Sequence, residues 1–173
     1  MSKSITARGR FAAIFVLLLL CSACGTSQHI VRMNEGYTAP ADARLAVGTV
    51  ANATGFEFDV DIVEMLTSAL TESLSESQLL ASGAETNRIV LNARIVDYDK
   101  GDAFKRWLMP GYGSTILRVQ CDLVVEGNII GAADAKRTID AGGAYTIGAW
   151  KTVFKTTADD LVKDVVAKLS RVE

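Results

Sequence analysis

Residues 117–125, Leu117-Arg118-Val119-Gln120-Cys121-Asp122-Leu123-Val124-Val125, set apolar side chains against largely polar ones at a period of two. Successive side chains of a strand point to opposite faces, so the pattern predicts a strand with one face in a core and one in water. Such a strand suits an antiparallel or mixed sheet covered on one side, because an all-parallel sheet buries both faces. Gly127-Asn128 then reads as a tight hairpin turn into a strand from Ile129 to about Ile139. That partner carries Gly131-Ala132-Ala133 and is expected to be bent or to lie at an edge. Upstream, Ile89, Leu91, Ala93 and Ile95 alternate with Val90, Asn92, Arg94 and Val96, giving a second one-sided strand. Leu45 to Val50 is a shorter β-type run.

Two helices flank these strands. Ile62, Val63, Leu66, Ala69, Leu70 and Leu74 recur at helical spacing, with Glu64, Ser68, Glu72 and Glu76 on the opposite side. Asp59 or Asp61 supplies an N-cap, and the helix is expected to run to about Gln78 and end near Gly83. A glycine-bearing loop from Ala141 to Gly148 precedes a last helix, whose apolar stripe runs from Val153 and Phe154 through Ala158, Leu161 and Val165 to Leu169 and Val172. The order β-α-β-β-β-α predicts a two-layer α+β domain. Its sheet, of about four strands, is mixed or largely antiparallel, with two helices on one face.

The N-terminus carries a different signal. Lys3, Arg8 and Arg10 form a positive head, Phe11 to Leu20 an unbroken apolar run, and Ser22-Ala23-Cys24-Gly25 follows. Ten apolar residues fall short of the roughly 20 that span a bilayer and fit the about 7–15 of a signal segment. The arrangement resembles a bacterial lipoprotein signal, in which a lipidated cysteine becomes the first mature residue. Cys24, preceded by small residues, fits better than Cys21, preceded by Leu18, Leu19 and Leu20. By the same resemblance, Gly25 after the cysteine implies the outer membrane. The expected organisation is a signal peptide over 1–23, a lipidated N-terminus and flexible tether over 24–43, and one α/β domain over 44–173.

That division has chemical consequences. Of three cysteines, only Cys121 remains free, so no internal disulfide forms, and Cys121 is expected to be a buried small side chain. Loss of Lys3, Arg8 and Arg10 takes the net charge from −2 to −5, which argues against nucleic acid as a partner and leaves membrane attachment to the lipid on Cys24. His29, the only histidine, falls in the expected tether and is not expected to be catalytic or to bind metal.

The folded region offers little catalytic chemistry. Asp59 and Asp61 have a sufficient role at a helix start. Asp97, Asp99 and Asp102, with Lys100 and Gly101 between them, follow a strand and lack the length and terminal glutamate of a calcium loop, so they are expected to form a solvated turn. Gly111-Tyr112-Gly113-Ser114 leads into a strand rather than a helix, so it is no phosphate cradle. Ser114 has no histidine partner within the folded region, and no Cys/His cluster has metal spacing. No enzyme activity, cofactor or metal is expected.

The stretch from Phe104 to Tyr112, Phe-Lys-Arg-Trp-Leu-Met-Pro-Gly-Tyr, joins two strands where a polar turn would suffice. Aromatics, Met and Arg are enriched at interaction hot spots. Two readings stand: a partner-binding loop built on Arg106, Trp107, Leu108, Met109 and Tyr112, or a loop folded back over the core. Tyr145 and Trp150 are expected to pack under the last helix.

The short first strand, the Pro-Gly segment from Arg106 to Gly113, the hairpin at Gly127 and Ala158-Asp159-Asp160-Leu161 together resemble, over Leu45 to Leu169, a family of bacterial lipoproteins known as a domain of unknown function. The fold is also similar to the small α/β domain near the N-terminus of TolB, in curli-secretion lipoproteins and in lipoproteins that activate peptidoglycan synthases. The resemblance implies a periplasm-facing binding or assembly module for a protein or cell-wall partner, with no catalytic residues. A homo-oligomeric subunit of an envelope export assembly is the second expectation, and a cell-envelope hydrolase the third.

Overall fold

The computed structural model describes residues 26–81, 87–109, 112–140 and 147–170. Its elements are β1 (Thr26–Met33), β2 (Arg44–Asn52), α1 (Ile62–Glu76), β3 (Arg88–Asp99), α2 (Ala103–Leu108), β4 (Thr115–Val125), β5 (Asn128–Ile139) and α3 (Ala149–Leu169). The sheet order is β1-β5-β4-β3-β2, with β2 and β3 parallel and every other pair antiparallel. This is an α+β fold with a five-stranded mixed sheet. α1 and α3 pack on one face, as one-sided alternation requires. Among the described residues no helix is long and apolar enough to cross a membrane.

The expected core forms as read. Ile89, Leu91, Ala93 and Ile95 of β3 meet Leu117, Val119, Cys121 and Leu123 of β4 in one buried cluster, closed by Leu66, Leu70 and Leu74 of α1 and by Val153, Phe154, Leu161 and Val165 of α3. Burial pushes the Cys121 thiol up to about 12, so it stays protonated and inert. Asp61 is the cap of α1, its carboxylate accepting from the Glu64 amide at 2.9 Å. Asp59 instead meets Lys100 at 2.6 Å. Ser73 donates to Asp159 at 2.6 Å, pinning α1 to α3.

Four expectations are corrected. Residues 26–33, expected within the tether, form β1, paired with β5 from Thr26↔Thr138 to Met33↔Gly131. Its alternation is real but polar on the helix side: Ser27 donates to Asp160 at 2.7 Å and His29 pairs with Asp164, both on α3. β5 is therefore interior rather than an edge, and its small residues fit there. A Cβ at Gly131 would lie 2.7 Å from the Arg32 carbonyl and 2.8 Å from Met33 sulfur. The hairpin turn is Glu126-Gly127, one residue earlier than read, with φ of 49° and 82° and Val125 facing Asn128. Two left-handed central residues make the turn that matches strand twist. Finally, β3 runs on through Asp99, so Asp97 lies on a strand opposite Arg118 rather than in a turn.

Candidate interaction surface

The stretch expected to be a loop contains a helix. Gly101, at φ +67°, reverses the chain; a Cβ there would approach the Gly113 and Ser114 carbonyls to 2.7 and 2.6 Å. Asp102 then caps α2, its carboxylate accepting from the Phe104 and Lys105 amides at 2.9 and 3.0 Å. Those backbone bonds hold its pKa below the usual carboxylate range. α2 lasts six residues and stops at Met109, which is extended.

This short helix sorts its side chains in an unexpected way. Arg106, expected to anchor a partner, is only 2% exposed. Its Nη1 donates to the Gly113 carbonyl at 2.8 Å and to Thr115 Oγ1 at 2.9 Å. Thr115 Oγ1 in turn donates to the Lys100 carbonyl at 2.9 Å. Arg106 is thus an internal strut joining α2 to the start of β4, not a contact residue. Trp107 is 65% exposed, and Leu108, Met109, Tyr112 and Phe104 are exposed with it. Of the two readings, a core cover is excluded for these side chains. Phe104 and Trp107 lie with ring centroids 6.0 Å apart, and Lys105 Nζ sits 5.7 Å from the Tyr112 ring centre.

Trp150, expected to pack under α3, is half-buried at its start, with Lys100 and Lys151 ammonium groups 4.8 and 4.9 Å from its ring centre. Tyr145 lies outside the described residues. Sequence reasoning missed the open face of the sheet as a feature. There Arg94 pairs with Asp122 and Arg118 with Asp134, each at 2.7 Å, along a shallow trough of about 640 Å³ that Gln28 and Arg32 also line. The period-two polar positions of β3 and β4 were its signal. Among the described residues, no group of three or more His, Cys, Asp or Glu is placed to hold a metal ion.

The Arg118 bonds, aided by Gln120, hold the Asp134 carboxyl below its ordinary range. Its contribution to stability is therefore present above the unfolded carboxylate value of about 3.9 and lost as pH falls through the lowered folded value. Asp134 is 32% exposed, so Asp134→Asn is expected to cost under ~1 kcal/mol at neutral pH and progressively less below about pH 3.9. Urea unfolding at neutral and acidic pH measures this; equal losses at both would place the cause outside the ion pair.

A protein-family model described as a domain of unknown function, DUF4410, matches residues 57–143, half of the chain, from the approach to α1 through β5. The chain belongs to the DUF4410 family. The match includes α2 and the Arg106 strut. No curated protein sequence matches this DUF4410 member. Solved structures that share its fold include two of one protein. The PelC dodecamer from Paraburkholderia phytofirmans is 18% identical, with a TM-score of 0.53, covering 78% of this chain and 96% of that one. A point variant of that dodecamer is 17% identical, with a TM-score of 0.51, covering 77% and 96%. At these identities the likeness carries the fold alone.

Proposed function

We propose that this protein is a membrane-anchored, non-enzymatic assembly module of the bacterial envelope, acylated at Cys24 and facing the periplasm from the outer membrane. The observation that carries this reading is the open edge of the sheet. β1 pairs with β5 on one side, and among the described residues no strand lies on the other along its eight residues. Unpaired backbone groups in such a row are a template for another strand. The opposite edge is less open, because β2 is partly covered where Leu45 bonds to Leu79 and Ala81.

Association with further copies of the same chain is the favoured mode. It is supported by the fold likeness, which spans nearly the whole of a chain solved as a dodecamer. A strand from another envelope component is the second reading, since the same backbone edge would accept it. Native mass of the full chain in mild detergent is expected to be a multiple of the protomer mass. Introducing proline in place of Ser27 or Val31 should reduce it to one protomer, because the Asn34–Ile130 bond and the register turn the even-numbered β1 amides to β5 and the odd-numbered ones to the open edge, and proline cannot extend a ladder. A monomeric wild-type chain would remove self-assembly and leave the second reading.

A further inference from the structure

We infer that the α2 end of the sheet rests on the bilayer that Cys24 anchors to, with Phe104, Trp107, Leu108 and Met109 entering the lipid interface; this rests on the acylation of Cys24 proposed above.

The sheet has one end where β1 and β4 begin and β2, β3 and β5 finish, as the registers Thr26↔Thr138, Thr115↔Ile139, Asp99↔Ile116 and Asn52↔Ile95 establish. α2 joins β3 to β4 at that end. Cys24 precedes Thr26 by two residues, a reach of at most ~7 Å. β1 and β4 are two strand spacings apart, about 10 Å. An acyl group on Cys24 therefore enters the membrane beside α2, and the opposite end of the sheet cannot take its place without turning the domain over.

The apolar surface is gathered at this same end. Among the described residues nine large hydrophobic side chains are exposed; α2 with Met109 and Tyr112 supplies five, and Phe56 and Ile147 in neighbouring loops supply two more. Only Ile30 and Ile129 lie elsewhere. Phe104, Trp107 and Leu108 stand at i, i+3 and i+4, one face of a helix, while Arg106 turns the other face inward. A helix with an apolar outer face can lie in the plane of the interface. Tryptophan and tyrosine favour headgroup depth, and a lysine such as Lys105 can keep its ammonium there while its stem is buried. The occupant is lipid because the anchor brings lipid to this end in every copy, whereas the strand edge proposed for assembly runs along the side of the sheet.

The test uses the full acylated chain carrying Trp150→Phe, which leaves Trp107 as the only tryptophan. It is reconstituted in phosphatidylethanolamine–phosphatidylglycerol vesicles with plain or brominated acyl chains. Trp107 emission is expected to shift to the blue and to fall roughly twofold with brominated lipid, as an interfacial ring requires. Trp107→Phe with Trp150 retained should show little quenching, and it reads the same contrast if Trp150→Phe does not fold. Emission typical of water overturns the inference. So does a blue shift insensitive to bromine, which assigns α2 to a protein contact. A mass without an acyl group at Cys24 overturns the anchoring reading instead, and the inference with it.

Discussion

Arg106→Ala is expected to destabilise the folded chain by ~3–5 kcal/mol, whereas Trp107→Ala, one residue away, is expected to change stability by no more than ~0.5 kcal/mol. The difference follows from which way each side chain faces. Removing the guanidinium takes the charged donor from Thr115 Oγ1 and from the Gly113 carbonyl, which keeps only the Asp102 amide at 2.9 Å, and a hydrogen bond from a charged group contributes about 1.5–3 kcal/mol. It also leaves a side-chain-sized void under α2, because Arg106 is among the largest fully buried side chains, and unfilled volume adds its own cost. Arg106→Lys should recover only part of the loss, since one ammonium cannot replace the planar fork. Urea unfolding of the three variants measures all of this. Equal, small effects at 106 and 107 would mean that the guanidinium is not a strut.

Phe154→Ala should cost a similar ~3–5 kcal/mol, for an apolar reason. Phe154 is 2% exposed on α3. Its ring centre lies 5.3 Å from that of Tyr98 on β3, which meets Phe58 edge-on at 5.0 Å. The three rings join the last helix, the sheet and the segment before α1, so truncating Phe154 near the start of α3 removes the helix's share of that contact. Phe154→Leu, which keeps most of the volume, should cost under about 1.5 kcal/mol. Tyr98→Phe should cost less than Phe154→Ala: burial pushes the Tyr98 phenol up to about 12, but its hydroxyl reaches only the Trp150 carbonyl at 3.5 Å. Thermal or urea denaturation of the full chain ranks the three; a Tyr98→Phe loss as large as that of Phe154→Ala would shift the weight from ring packing to that hydroxyl.

The central strands and both long helices were legible because their apolar residues repeat at the period of the element and all point one way. β1 was not, because its core-side positions begin with Ser27 and His29, which are satisfied by Asp160 and Asp164 rather than by apolar packing. No local pattern announces a partner more than a hundred residues downstream. α2 was hidden for another reason. It is a single capped turn and a half whose apolar residues face outward, the reverse of the usual stripe. Trp107, Leu108, Met109 and Tyr112, singled out in sequence as a partner-binding loop or a core cover, are exposed. Arg106 was placed on the wrong side because buried arginine is rare, and the backbone carbonyl and threonine hydroxyl among its partners carry no charge that sequence could flag.

The pairing of the first strand with the last also orders events in time. Among the described residues β1 is the first strand to leave the ribosome and its partner β5 the last, so its ladder closes one of the longest loops between described strands. The segment nearest Cys24 is thus expected to join the sheet late in folding, after a hairpin such as β4–β5 has formed from local contacts. If Cys24 is acylated as proposed, a newly exported chain would be tied at one end while the rest of its sheet assembles, and the last ladder to close would draw the finished domain down onto its own attachment point.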